Sequence, residues 1–276
     1  MKNLALRTLT GVLYVAALVG CALGGELSFF VFFLVVGALS TWEFITNVNA
    51  HDDATANRFI ATAATVAFMA AFHECCHPNH ITYAHFLPFV ITLLYLLVSE
   101  LYRNEPHPLK NWAYAFAAQL YIALPLSMIY LLGIRYDPAQ GLTTYNGWLP
   151  LSIFFFLWTS DTGAYLCGSA FSRFVPAKLF PRISPNKSWI GSIGGGVLVV
   201  LLAVALNYLL PEVRIGLGLT VCVFGTWGDL VESLFKRQLG IKDSGKILPG
   251  HGGMLDRFDS AFLAIPAAVV YLQFAA

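Results

Sequence analysis

The sequence predicts an all-α, polytopic integral membrane protein, and three observations predict it. Of its 276 residues, 58% are hydrophobic and only 11% are charged, whereas a soluble domain carries about a quarter charged residues. The apolar residues gather into nine runs of the kind that cross a bilayer as helices. The cations between those runs alternate: fourteen of the sixteen Lys and Arg residues fall on one side of the implied topology, leaving Arg135 and Arg214 on the other. Such asymmetry marks cytoplasmic loops. The formal net charge of +1 gives no bulk-charge argument for a nucleic-acid partner.

The nine expected spans cover residues 6–24, 27–46, 58–73, 83–102, 111–133, 149–168, 189–210, 213–235 and 257–274. The first follows a short basic start and holds LVGC (18–21), which resembles a lipoprotein cleavage box. The later runs are equally apolar, so we read it as a retained span and not a cleaved signal. The third is the shortest. The alternation puts the N-terminus in the cytoplasm, the C-terminus outside, and the two long loops, 169–188 and 236–256, together on the cytoplasmic side. No repeat or low-complexity linker divides the chain, so 1–276 is read as one membrane domain without a separate soluble part. Its N-terminal helical portion is 1–148; 149–276 carries both long loops. The five cysteines form no disulfide framework. HECCHPNH (73–80) looks like a metal tract, but it lies on the outward side without a regular ligand spacing, and no transition-metal site is expected there.

Carboxylates inside a membrane are costly and tend to be functional. Glu43, Glu100, Asp161, Asp229 and Glu232 fall near the ends of spans two, four, six and eight, all running outward to inward, and Asp259 opens span nine. All six are expected at one depth near the cytoplasmic surface. Glu43 and Glu100 have an equally simple explanation as snorkelling or interface groups.

Four polar clusters stand out. In WGDLVESLFKR (227–237), Asp229, Glu232, Ser233 and Lys236 recur at i, i+3, i+4 and i+7, one face of a helix; they line a cavity or form an internal salt-bridge stripe. In KDSGKILPGHGGMLDRFD (242–259), Pro249-Gly250 and Gly252-Gly253 bracket His251, and such glycines permit an anion-binding backbone nest. Asp256 and Asp259 share a face if span nine begins there. With Asp229 they offer hard oxygen ligands of the type Mg²⁺ takes; ordinary turn chemistry and helix-start acids are the plainer alternative. In SPNKSWIGSIGGG (184–196), Ser188 can cap span seven, whose N-terminus beside Lys187 suits a phosphate. In TSDTGAY (159–165), Asp161 ends span six, facing the site or hydrogen-bonding another helix.

Cationic side chains, carboxylates and backbone nests at one membrane surface suit phosphoryl or nucleotidyl transfer to a lipid phosphate, which needs positioning and charge neutralisation more than covalent chemistry. An ion-coupled transporter is the alternative from another class. It would need polar residues through the membrane's depth, and the outward halves of spans six to nine are nearly pure apolar.

SLFKRQLGIKDSGKILPGHGGMLDRFD (233–259) resembles the signature of the phosphatidate cytidylyltransferase (CDP-diacylglycerol synthase) family, and SDTGAYLCG (160–168) and ISPNKSWIGSIGG (183–195) resemble its upstream motifs in order. The resemblance implies transfer of CMP from CTP to phosphatidic acid, giving CDP-diacylglycerol and pyrophosphate, at the cytoplasmic face of a bacterial plasma (inner) membrane. It implies Mg²⁺ at Asp229 and Asp256, with room for a second, monovalent cation such as K⁺. Lys236, Arg237 and Lys242 would neutralise phosphate, and His251, Gly252 and Gly253 would line the site. Ser184, Lys187, Ser188, Ser233, Asp161, Asp243, Arg257 and Asp259 complete the expected substrate contacts. The motif usually has Glu or Gln where Ile190 stands, and Thr where Ser188 stands. A CTP-dependent polyprenol kinase is the alternative within the same chemistry. Close glycine packing would permit a homodimer.

Overall fold

A computed structural model describes residues 2–77, 82–137, 140–171, 173–211, 213–250 and 252–275, with side chains from Thr8 onward. Helices occupy all nine expected positions among the described residues, and six of these segments are long and apolar enough to cross a membrane. The chain divides into two compact units, residues 1–147 with 238–258, and residues 148–237 with 259–276. Residues 238–258, read from the sequence as belonging with the C-terminal half, thus cluster with the N-terminal part.

The first unit begins with α1 (Lys2–Leu23) and α2 (Glu26–His51), joined by a tight turn at Gly25, whose φ of 117° favours glycine. Next come α3 (Arg58–Cys75), α4 (Leu87–Tyr102) and a helical run from Pro108 to Gly133. Asn57 caps α3, its side-chain oxygen accepting the N–H groups of Phe59 and Ile60 at 3.1 and 3.2 Å. The long run comprises α5 (Pro108–Ala118), a π-helical turn (Gln119–Ala123), α6 (Leu124–Met128) and α7 (Tyr130–Gly133). Pro125 cannot donate a backbone N–H, and the π turn adjoins it.

Two groups of buried polar side chains in this apolar unit are hydrogen-bonded, as desolvation favours. Thr41 and Thr65 hydroxyls meet at 2.9 Å; Thr65 reaches the Gln119 amide oxygen at 3.3 Å, and the Gln119 amide nitrogen donates to the Ala61 carbonyl at 3.1 Å. Glu100 is buried and bonded to Arg103 and Asn111, both at 2.8 Å. It belongs to an internal polar cluster, so the snorkelling alternative does not hold for it.

Among the described residues, two short antiparallel strand pairs depart from the all-α expectation. In the first unit β1 (Ile134–Asp137) pairs with β2 (Leu142–Tyr145), and in the second β3 (Lys178–Phe180) pairs with β4 (Ser184–Ser188). These runs of four, three and five residues carry no period long enough to separate strand from loop.

The second unit contains α8 (Trp148–Phe171), α9 (Trp189–Asn207), α10 (Ile215–Gln238, its last residue outside the unit) and α12 (Ala261–Ala275); α11 (Leu255–Phe258) belongs to the first. Helices α8 and α9 approach backbone to backbone: a Cβ on Gly195 would lie 2.6 Å from the Ser160 carbonyl oxygen. This is the packing role of the SIGGG run. Ile193, Val197 and Leu201 stand exposed along one side of α9, a stripe that suits acyl chains and not water.

Candidate active site

The second unit brings several of the expected residues together. Trp189 and the residues after it form α9 because Ser188, in extended conformation, caps it: its hydroxyl accepts the Gly191 N–H at 3.2 Å. Ser188 is held there by pairing with Lys178 across the β3–β4 hairpin. One residue earlier, Lys187 reaches α10, and its Nζ lies 2.5 Å from Asp229 Oδ2. Asp229 Oδ1 accepts the Ser233 hydroxyl at 3.2 Å. Asp161 of α8, Lys178, Lys187, Ser188 and Thr226 face a cleft of about 560 Å³.

A third carboxylate is delivered by a break in the chain. Helix α11 stops at Phe258, and α12 begins only at Ala261. The intervening Asp259 and Ser260 lie against α10 at Gly228, where a Cβ would come 2.6 Å from the Asp259 carbonyl oxygen. Only a glycine there admits this approach. Asp259 is consequently within electrostatic reach of Asp229, Asp161 and Lys236, and its Oδ1 accepts the Ser260 N–H at 2.5 Å. The break corrects the expectation that Asp256 and Asp259 share one helical face.

The stripe on α10 divides in two. Glu232 is fully buried and pairs with Lys236 one turn on, the internal salt bridge weighed as an alternative. Asp229 faces Lys187 instead, and Ser233 donates to Asp229. Arg237 is exposed, and Ser184 begins β4, partly buried.

The first unit holds the rest of the glycine loop, and there the acids serve the backbone. Asp256 is buried; its Oδ2 accepts the N–H groups of Ser244 at 2.9 Å and Gly253 at 2.8 Å. Gly252 has φ of 84°, a left-handed turn at the foot of that bridge. Glu43 is buried too, not at an interface: its Oε2 accepts the Leu255 N–H at 2.9 Å. A Cβ on Gly253 would lie 2.4 Å from that same oxygen. Asn47, one turn after Glu43, donates to the Ser244 carbonyl at 2.6 Å. Phe258 fixes the end of the loop by packing on Tyr14 and Phe33 at 5.7 and 6.1 Å between ring centroids. Lys242, Asp243 and Arg257 are exposed, and His251 lies outside the described residues.

Sequence reasoning passed over Glu43, Asn47 and Ser244 as loop supports, and Lys178 and Thr226 as cleft residues. The acid near the end of span two was a visible signal for Glu43. The others had none beyond being polar.

Fold and site together define a polytopic membrane protein in which Asp161, two lysines and a capped helix N-terminus line one cleft, with Asp229 ion-paired to one of those lysines. A model of the cytidylyltransferase family matches residues 5–275, and the chain belongs to that family. It is similar to a phosphatidate cytidylyltransferase of Haemophilus influenzae, 36% identical over 169 residues, which cover 58% of this chain and 56% of that protein. It is also similar to enzymes of the same name from Staphylococcus aureus (45% identical over 127 residues, 44% of this chain and 48% of the relative) and Staphylococcus haemolyticus (44% identical over 127 residues, with the same coverage). The chain thus spans about half the length of the curated relatives it matches.

The cluster Asp161, Asp229 and Asp259 fits Mg²⁺ chemically. It offers hard carboxylate oxygens, with lysines alongside to share a polyphosphate's remaining charge.

Proposed function

We propose that the protein transfers CMP from CTP to phosphatidic acid, giving CDP-diacylglycerol and pyrophosphate. The observation that carries this reading is the Lys187–Asp229 pair at the cleft, beside the capped start of α9. It joins a carboxylate suited to a metal, a cation suited to a phosphate and a helix N-terminus in motifs similar to those of the family. A phosphate oxygen of the lipid attacks the α-phosphorus of CTP, and the bond from that phosphorus to the pyrophosphate bridging oxygen breaks. Negative charge grows on the departing pyrophosphate, and preplaced cations stabilise it without reorganising. Lys187 takes this role; Asp229 aims its ammonium group before substrate arrives. The dipole of α9 adds partial positive charge at the same mouth.

Mg²⁺ bound at Asp229, with Asp259 and Asp161 as neighbours, would neutralise the triphosphate and polarise the reacting phosphorus. Asp256 enters the metal assignment from the motif alone, as do Lys242 and His251 as phosphate-site groups. The bias of Lys and Arg toward one set of loops supports nine spans, a cytoplasmic N-terminus and a site open to cytoplasmic CTP at the plasma (inner) membrane.

The test is turnover of purified protein in mixed micelles of phosphatidic acid with CTP and Mg²⁺. Equal yields of CDP-diacylglycerol and pyrophosphate are expected. Release of CDP without pyrophosphate would mean γ-phosphoryl transfer, as in a polyprenol kinase, and would overturn the proposal.

A further inference from the structure

In the first unit, α2 carries Glu43 near one end and Glu26 at its first residue. Seventeen residues at 1.5 Å each separate them by about 25 Å along the axis, so what surrounds Glu26 is remote from the glycine loop. Two histidines meet Glu26 there. His73 comes from the last turn of α3, and His77 follows four residues later in the turn that ends the helix.

His73 Nε2 lies 3.0 Å and His77 Nε2 lies 2.9 Å from the same oxygen, Glu26 Oε1. One ligand atom from each residue falls within 4.8 Å of the other two. Tetrahedral Zn²⁺ with bonds of about 2.0–2.1 Å sets its ligand atoms about 3.3 Å apart, so small side-chain adjustments suffice.

The imidazoles are prepared as metal ligands. His77 Nδ1 is 3.3 Å from the His73 carbonyl. A carbonyl can only accept, so Nδ1 donates there, and Nε2 is the nitrogen left facing Glu26. A backbone carbonyl holding the distal nitrogen is the usual outer support of a metal-bound histidine. His73 has a side chain only 12% exposed, and neither ring nitrogen completes a hydrogen bond. Its Nε2 faces Glu26 Oε1 and its Nδ1 faces Glu74 Oε1 at 3.8 Å, so the ring sits among carboxylates without a full hydrogen bond to either. A buried imidazole in that condition calls for a partner, and a cation between the three groups supplies one. Phe30 and Tyr130 wall the ring at 4.3 and 5.3 Å between centroids and fix its orientation. Cys76 is nearby, but burial pushes its thiol up to about 12, and its sulfur engages the Phe72 carbonyl at 3.3 Å.

We propose that Glu26, His73 and His77 bind one divalent transition-metal ion, Zn²⁺ by their chemistry. Two imidazoles and a carboxylate form a borderline-soft N₂O set that leaves a position for water. The ion clips the start of α2 to the end of α3.

The test uses full-length protein in detergent, freed of any affinity tag and stripped with chelator, then dialysed against buffered Zn²⁺. Wild type is expected to retain one equivalent and to melt at a higher temperature with Zn²⁺ than without. The double variant His73→Ala/His77→Ala is expected to bind at least tenfold more weakly and lose the thermal shift, with CTP turnover unchanged. Co²⁺ added to wild type is expected to give the visible absorption of a four- or five-coordinate site, a reading independent of variant folding. Wild type without retained Zn²⁺ and without the Co²⁺ band would show an ordinary histidine–glutamate ion pair and overturn the proposal. Equal Zn²⁺ retention by a folded double variant would overturn it as well.

Discussion

The glycine loop of the first unit and the cleft of the second are both rich in acids, yet they use them in opposite ways. Asp256 and Glu43 turn inward and accept backbone N–H groups from Ser244, Gly253 and Leu255. Asp229 instead meets a lysine and a hydroxyl at the edge of a cleft, with Asp161 and Asp259 in electrostatic range. An acid occupied by N–H groups defines a backbone; an acid facing cations and other acids holds a charge imbalance that a metal or phosphate can resolve. Density of polar residues in the sequence does not distinguish these two cases. Hydrogen-bond accounting does.

The largest expected effect is at the cleft. Asp229→Asn should lower turnover about 10³-fold or more, the scale of losing one preorganised electrostatic element, while the protein still folds. Steady-state rates together with a melting curve check it.

Asp256 separates the two uses directly. Asp256→Ala strands two buried N–H groups and should destabilise the first unit by about 2–4 kcal/mol, read as a lower melting temperature. Asp256→Asn retains an acceptor oxygen and should melt close to wild type. Lost turnover in that stable variant would assign the Asp256 charge to the metal as well as the loop, and would break the contrast between the regions. Retained turnover would sharpen it.

A smaller effect is expected where the second unit depends on close helix contact. Gly195→Val places side-chain atoms against the Ser160 carbonyl, and overpacking of this kind costs about 1–3 kcal/mol. Its melting temperature should fall, and a variant as stable as wild type would remove the close-approach role given to SIGGG.

The smallest effect concerns Asp52, just past α2. The Tyr114 hydroxyl, and then Lys110 with Nζ 3.3 Å away, hold its carboxyl below the usual range. A depressed carboxyl stabilises the fold above its unfolded pKa and loses that contribution as pH falls through the folded value. Asp52→Asn should therefore be slightly less stable than wild type at pH 7, and the difference should begin to shrink below about pH 4 and vanish once the pH is under the depressed folded value. Parallel melting curves across that interval measure it.

Much of this was legible in the sequence, and the remainder was hidden for physical reasons. Local rules reached the apolar helices and the Ser188 cap, since periodicity and capping act within a few residues. They also suggested that glycines after Trp189 mark close packing. They did not reach Glu43 beneath Gly253, because those residues lie far apart in sequence and no pattern encodes their contact. The break at Asp259 and Ser260 was missed because Gly228, on another helix, makes room for it. In the 73–80 tract the spacing is irregular, and the third ligand proposed for His73 and His77, Glu26, comes from a different helix. Spacing within one segment cannot reveal a site closed by tertiary packing.

The most direct test of the cleft as the nucleotide site is equilibrium binding of radiolabelled CTP to detergent-solubilised wild type and Asp229→Asn, with and without Mg²⁺. The expected result is saturable, Mg²⁺-dependent binding to wild type, weakened at least tenfold in the variant at unchanged melting temperature. Equal Mg²⁺-dependent affinity in the two proteins would contradict it.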